Sequence, residues 1–147
     1  MRFLMAMAAA AGAMASLVSP ARADVIGATV QAFGLVGTWS NDCGRHLDKH
    51  QAGFRMSFEV PEKGPPIRTI VSSDGAKTTT VKAEVLSAIP NGAEFLTIGV
   101  KLTGLGDKGG SQIPAYLNTP QQSFQKTEPN VLFVKGRDGM RLQRCTE

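Results

Sequence analysis

The fold class of this chain is decided by the stretch Gly53-Phe54-Arg55-Met56-Ser57-Phe58-Glu59-Val60. Apolar side chains occupy every second position of this stretch, and polar or charged side chains stand between them. A period of two predicts a β-strand with one buried face and one exposed face. The prolines of residues 61–66 then end the strand, because proline cannot donate a backbone hydrogen bond to a neighbouring strand.

The same alternation occurs in two longer segments, residues 78–89 and 94–103. Pro90, Asn91 and Gly92 separate them, and an Asn-Gly pair adopts positive φ angles at little cost. We therefore expect these two segments to form a β-hairpin. Shorter strands are expected at residues 35–40, 67–72, 123–127, 131–135 and 140–145.

These segments together amount to about eight strands, with turns about every eight to twelve residues, as in all-β sandwiches and barrels. The prediction is an all-β domain over residues 35–147, a single antiparallel β-barrel of about eight strands, with a β-sandwich as the alternative. No amphipathic helix longer than two turns is expected. Residues 24–34 show no clear period and are interpreted as an N-terminal arm or a short helix.

The first 23 residues have the features of an export signal. Arg2 precedes an uncharged apolar run over residues 3–18, and Ala21-Arg22-Ala23 has the small-x-small pattern that signal peptidase recognises. We expect a signal peptide over residues 1–23, a mature chain beginning at Asp24, and a periplasmic or secreted protein. The apolar run is shorter than the roughly twenty residues that a membrane-spanning helix requires. The mature chain offers no other transmembrane candidate.

The net charge of +4 overstates how basic the mature chain is. Arg2 and Arg22 belong to the predicted signal peptide, and the fourteen remaining basic residues exceed the twelve acidic residues by only two. The few aromatic residues do not interleave with a basic stripe. The sequence therefore does not predict a nucleic-acid partner.

The chain has two cysteines, Cys43 and Cys145, near opposite ends of the predicted barrel domain. Export places them in an oxidising compartment, where a pair of thiols normally forms a disulfide. Closing a loop of about 100 residues stabilises a protein by roughly 4.7 kcal/mol in the chain-entropy model. Neither cysteine lies in a C-x-x-C motif, which argues against a redox couple or a metal pair.

The segment Leu35-Val36-Gly37-Thr38-Trp39 resembles the Gly-x-Trp opening of lipocalins and lipocalin-like barrels. The resemblance implies that this segment starts the first strand of an eight-stranded up-and-down barrel and that Trp39 plugs its closed end. It also implies that an arginine from a late strand, Arg141 or Arg144, packs over the Trp39 ring. Many lipocalins link an early loop to the C-terminus, as a Cys43–Cys145 disulfide would.

Charged side chains near the two cysteines suggest a second kind of site. A Cys43–Cys145 bond would bring the loop that follows the first strand towards the last strand, and scattered cations there could bind an anion or phosphate. The alternative is that these charges solvate strand edges. The residues of this candidate anion site are Arg45, His46, Lys49, His50, Arg141 and Arg144.

No catalytic or metal site is predicted. His46 and His50 stand four residues apart, a spacing that puts two imidazoles on one face of a helix. No glutamate stands beside His46, so the segment is interpreted as a solvated loop. Gly109-Gly110-Ser111 is not a nucleophile elbow, because no glycine follows two residues after the serine. We therefore expect a non-enzyme without a cofactor.

The leading functional hypothesis is non-catalytic binding of a small apolar or amphipathic ligand inside the barrel. The alternative is a protein-interaction or inhibitor module of the cell envelope that uses the 24–34 arm and the glycine-rich loop 104–121. Ile113, Tyr116 and Leu117 would be the apolar contacts of that loop. The expected ligand-binding residues are Trp39, Phe54, Met56, Phe58, Leu96, Ile98, Val100 and Tyr116.

Overall fold

The computed structural model describes residues 20–47, 51–105, 120–135 and 139–146. Within these ranges the chain forms one α-helix followed by eight β-strands. The elements are α1 (Pro20–Phe33), β1 (Gly37–Ser40), β2 (Gly53–Glu59), β3 (Ile67–Ser73), β4 (Thr78–Asn91), β5 (Phe95–Leu105), β6 (Gln121–Glu128), β7 (Val131–Lys135) and β8 (Met140–Cys145).

The strands form a closed antiparallel barrel in sequence order, and β8 pairs with β1 to complete the circle. The predicted all-β fold class and the barrel are confirmed, and the sandwich alternative does not apply. The expected β4–β5 hairpin is present, with Gly92 at a φ of 72° in its turn. Closure leaves no sheet edge unpaired around the barrel.

The period-two pattern of β2 places its apolar side chains inside the barrel. Phe54, Met56 and Phe58 are buried, whereas the residues between them are partly exposed. Strand pairing continues the inner face from one strand to the next, because Met56 lies opposite both Trp39 and Ile70. The inward residues of all eight strands form one hydrophobic core.

Residues 20–33 form a helix of 14 residues, so of the two interpretations of residues 24–34 the helix applies, and it begins four residues earlier than residue 24. Its buried side consists of Ala23, Ile26, Gly27, Val30 and Phe33. Three of these, Ile26, Val30 and Phe33, belong to the barrel core. A Cβ on Gly27 would stand 3.0 Å from Val60 Cγ1, so the glycine allows close packing. Tertiary burial therefore stabilises a segment in which β-branched residues and glycine lower the intrinsic helix propensity.

Gly34 ends α1 in a Schellman motif. It has a φ of 78°, its N–H donates to the Gln31 carbonyl, and the Leu35 N–H donates to the Val30 carbonyl. These bonds satisfy carbonyls that the helix itself leaves without partners. The motif turns the chain directly into β1. We call the end of the barrel where α1 packs the helix end, and the opposite end, where β1 connects to β2 and β5 to β6, the loop end.

Trp39 and Arg144 lock the helix end from inside. Of the two arginines that the resemblance allows, Arg144 is the one over Trp39, with its guanidinium carbon 4.4 Å from the ring centroid. Arg144 Nη1 donates to the Val36 carbonyl at 2.6 Å, and Nη2 donates to the Gly34 carbonyl. A Cβ on Gly37, whose φ is 118°, would stand 2.9 Å from Arg144 Nη1. The Gly-x-Trp motif thus makes room for the arginine.

The predicted disulfide is present between Cys43 and Cys145. It links residues 102 positions apart and joins the chain just after β1 to the last residue of β8. Ser40, almost fully buried at the end of β1, donates to the Phe54 carbonyl at 2.7 Å and accepts from the Asp42 N–H. These bonds fold the chain back so that Cys43 reaches Cys145.

The predicted signal peptide lies mostly outside the described residues. Residues 20–23 form the first turn of α1, and Ala23, the last residue before the expected cleavage position, is buried. Peptidases bind extended and accessible segments, so cleavage at this position would precede folding of the barrel.

Breaking the disulfide should lower the free energy of unfolding by about 2 to 5 kcal/mol, because the closed loop is long. We expect this loss in a Cys43→Ser/Cys145→Ser variant, measured by urea denaturation. Reductant should lower the urea midpoint of the native protein to that of the variant and should not change the midpoint of the variant. An unchanged midpoint of the native protein under reductant would contradict the expectation.

Replacing Arg144 by glutamine should cost about 2 to 4 kcal/mol, because two charge-assisted hydrogen bonds and the contact with Trp39 are lost. Arg141→Gln is the matched control on the same strand, since Arg141 is exposed. Thermal unfolding followed by the fluorescence of Trp39, the single tryptophan, measures both. Equal melting temperatures for the two variants would show that Arg144 does not hold the helix end.

Candidate functional site

The structure brings seven of the eight predicted ligand-binding residues together inside the barrel. They are Trp39, Phe54, Met56, Phe58, Leu96, Ile98 and Val100. Tyr116 lies outside the described residues, as does most of the loop 104–121. Trp39, Met56, Leu96 and Ile98 have no exposed surface at all. The middle of the barrel is therefore filled by its own side chains, as expected of a small barrel.

Some inward residues near the loop end are less covered, although Phe54 at that end of β2 is buried. Val100 and Leu102 on β5 are partly exposed, whereas Leu96 and Ile98, nearer the helix end of the same strand, are buried. The same change occurs along β7, between Leu132 and Val134. Further partly or fully exposed inward residues at this end are Ser72, Gln122 and Met140. We call the six residues Ser72, Val100, Leu102, Gln122, Val134 and Met140 the loop-end lining.

Arg68 is a buried polar residue that the sequence interpretation did not single out. It lies opposite Phe58 on β2 and Ala83 on β4, both of which face inwards, so its side chain enters the barrel. Only 1% of its surface is exposed. Its Nη1 donates to Gln122 Oε1 at 2.7 Å, a bond that crosses the interior from β3 to β6. Two further donors, Nε and Nη2, are buried and have no hydrogen-bond partner among the described residues.

Burial lowers the pKa of Arg68 well below its ordinary value, to about 10. The cause is desolvation of the charged group. No carboxylate pairs with Arg68 in the described part of the chain, where the single ion pair joins Arg45 and Asp42, both half exposed. A shift of this size corresponds to roughly 3 kcal/mol against folding with the charge in place. Arg68 remains charged near neutral pH. The barrel therefore contains a cation without a counter-ion among the described residues.

Two other inward-pointing cations, at the helix end, have partners. Lys126 Nζ donates to the Phe33 carbonyl at 2.8 Å and lies 5.6 Å from the Phe33 ring centroid. Arg144 donates to the carbonyls of Gly34 and Val36. Both satisfy carbonyls at or just beyond the C-terminus of α1, where a cation is stabilised. Arg68 differs from them because most of its donors are unused.

The residues of the predicted anion site are not gathered on one surface. Arg144 points into the barrel at the helix end, and its guanidinium is occupied by the carbonyls that follow α1. Arg45 forms an exposed ion pair with Asp42 at 3.0 Å, which lowers the Asp42 pKa. His46 and Arg141 are exposed. Lys49 and His50 lie outside the described residues.

The sequence offered only a weak signal for Arg68. Residues 67–72 do not alternate cleanly between apolar and polar side chains, so either face of β3 could be the inner one. Its pairing with β2 and β4 settles the question, since Phe58 and Ala83 fix which face turns inwards.

In the described ranges, no three or more His, Cys, Asp or Glu side chains are grouped as a metal site would require. Over the same ranges, no helix has both the length and the apolar character to span a bilayer.

Replacing Arg68 by methionine should raise the free energy of unfolding by about 1 to 3 kcal/mol near pH 7, because an unpaired buried charge is replaced by an apolar chain of similar length. The gain should shrink as the pH rises above about 10, where folded native protein loses this proton before the unfolded chain does. Urea denaturation at pH 7 and pH 10.5 measures both effects. A variant less stable than the native protein at pH 7 would contradict this account.

Comparison of the chain with protein-family models, with curated proteins and with solved structures found no match in any of the three.

Proposed function

We propose that this is an exported, non-catalytic binding protein that takes a small apolar or amphipathic ligand into the loop end of its barrel. The observation that carries the proposal is the difference between the two ends. The helix end is covered by α1 and locked by Trp39 and Arg144. The loop-end lining presents inward-facing side chains that keep part of their surface accessible.

The filled middle of the barrel limits the ligand. Ile98 and Phe124 are fully buried, so a ligand at the loop end meets a floor of packed side chains. Four of the six lining residues are Val100, Leu102, Val134 and Met140, which are apolar. Gln122 and Ser72 supply polar groups. An apolar wall with a few polar groups is the usual composition of a small-molecule site.

Export fits this proposal. A disulfide that closes a long loop is typical of proteins in oxidising compartments. The apolar run and the Ala21-Arg22-Ala23 pattern indicate the route to such a compartment. We therefore place the protein in the periplasm or outside the cell.

The lipocalin resemblance gains support from the position of Arg144 over Trp39. A closed eight-stranded antiparallel barrel occurs in more than one family, so membership of the lipocalins stays a proposal. Ligand binding within the barrel does not depend on it.

A second candidate function, binding of a protein partner, is favoured by exposed apolar residues at the helix end. Val25 on α1 is 66% exposed, and Ile89 on β4 is 62% exposed. A shallow groove between α1 and the β4–β5 hairpin is lined by Thr29, Ala32, Phe33, Pro90, Gly92 and Ala93. The 24–34 arm forms most of α1, so only its outer side is available to a partner.

Titration with the neutral fluorophore N-phenyl-1-naphthylamine tests the ligand proposal. The native protein should bind one molecule and enhance its emission. Val100→Phe narrows the loop-end lining and should weaken binding about tenfold or more, because a bulky ring fills the space. Thr103→Phe adds the same ring on the exposed face of β5 and should bind as the native protein does.

Absence of binding to the native protein would refute the ligand proposal, and equal binding by the two variants would place the site elsewhere. Melting temperatures of both variants show whether the barrel is intact. Native mass spectrometry of protein purified from the periplasm gives an independent result. A small co-purifying mass supports the ligand, whereas a second protein supports the interaction module.

A further inference from the structure

Arg68 is held in one orientation with one edge of its guanidinium unused. Gln122 Oε1 accepts from Nη1 at 2.7 Å and so fixes the plane of the group. The remaining buried donors without partners are Nε and Nη2. These two nitrogens form one side of the guanidinium, and their N–H groups point in parallel. Two parallel N–H donors match the two oxygens of a carboxylate.

The surroundings of this edge are apolar. Arg68 lies opposite Phe58 and Ala83, and Ala83 lies opposite Leu102 of the loop-end lining. In such surroundings an ionic hydrogen bond is strong, because water does not compete for the donors. The bond from Arg68 to Gln122 joins the buried cation directly to a residue of the loop-end lining. Fully buried Ile70 lies between Arg68 and Ser72 on the inner face of β3, so a ligand that enters at the loop end reaches the guanidinium only when packed side chains move.

From these observations we infer that Arg68 recognises the carboxylate of an apolar acid, whose chain lies against the loop-end lining. This inference rests on the proposed function and names its ligand class. A single negative charge neutralises the single charge of Arg68, which has no other counter-ion among the described residues. A phosphate monoester carries about −1.5 to −2 and would leave excess charge buried.

The assignment explains a feature that stability alone does not. An unpaired buried guanidinium destabilises a fold unless a partner satisfies it. Lys126 and Arg144 show how this barrel satisfies a cation with its own carbonyls. In the described part of the chain, nothing comparable is provided for the Nε and Nη2 donors of Arg68. A ligand carboxylate supplies both missing acceptors.

Decanoate and decanol test the inference, because they share an apolar chain and differ in the charged head group. Isothermal titration should show that the native protein binds decanoate about tenfold to a hundredfold more tightly than decanol, the range expected for hydrogen bonds to a charged group. Decyl phosphate should bind more weakly than decanoate.

Arg68→Met should bind decanoate and decanol equally while binding decanol as the native protein does. Arg68→Lys keeps the charge but removes the paired donors, so it should lose most of the preference for decanoate. Lys101→Met is the matched control, because it removes one positive charge from the exposed face of β5. It should keep the native preference for decanoate.

The results separate this inference from the proposed function. Decanol binding without a preference for decanoate would overturn the role of Arg68 and leave the ligand proposal standing. A preference that survives in Arg68→Met would overturn it as well. Tighter binding of decyl phosphate than decanoate would overturn the carboxylate assignment. Failure of the native protein to bind any of the three compounds would refute the proposed function itself.

Discussion

β1 is only four residues long, yet the barrel closes on it, with β2 on one side and β8 on the other. Three register positions join it to β8, too few for backbone hydrogen bonds alone to hold the closure firmly. Two side-chain devices reinforce this seam. The Cys43–Cys145 disulfide fixes its outer side, and Arg144 over Trp39 fixes its inner side. Every other strand depends on this closure, because an open sheet would expose the core between β1 and β8.

The seam also explains why the two ends of the barrel differ. Arg144 ties β8 to the carbonyls of Gly34 and Val36, so the closure of the barrel and the docking of α1 share one side chain. Lys126 attaches β6 to the end of the same helix. The helix end is thus held by Arg144, Lys126 and the packing of α1. The loop end can keep partly exposed side chains without weakening the Arg144–Trp39 contact.

Features that depend on local pattern could be predicted from the sequence. Alternation gives β2 and the β4–β5 hairpin, and two cysteines together with the expected export give the disulfide. Features that depend on pairing between distant segments could not. Helix α1 is stabilised by burying Ile26, Val30 and Phe33 against the barrel, and its own propensity gives little sign of it. Which face of β3 turns inwards follows from its partners, so Arg68 could not be placed inside the barrel beforehand.

The buried charge of Arg68 lowers the stability of the barrel, and the same charge is the group proposed to bind the ligand. Its Nε and Nη2 donors, which have no partner among the described residues, are buried, so a ligand carboxylate would reach them only when neighbouring side chains move aside. Such movement is easiest where side chains are least packed. Val134 is partly exposed and Met140 is exposed, so these two side chains can move most easily. Because the ligand can bind only while the site is open, its association rate constant should lie below the diffusion limit. The observed affinity should equal the affinity of the open site multiplied by the fraction of molecules that are open. The Arg144–Trp39 contact lies at the helix end, so movement of side chains at the loop end leaves it in place.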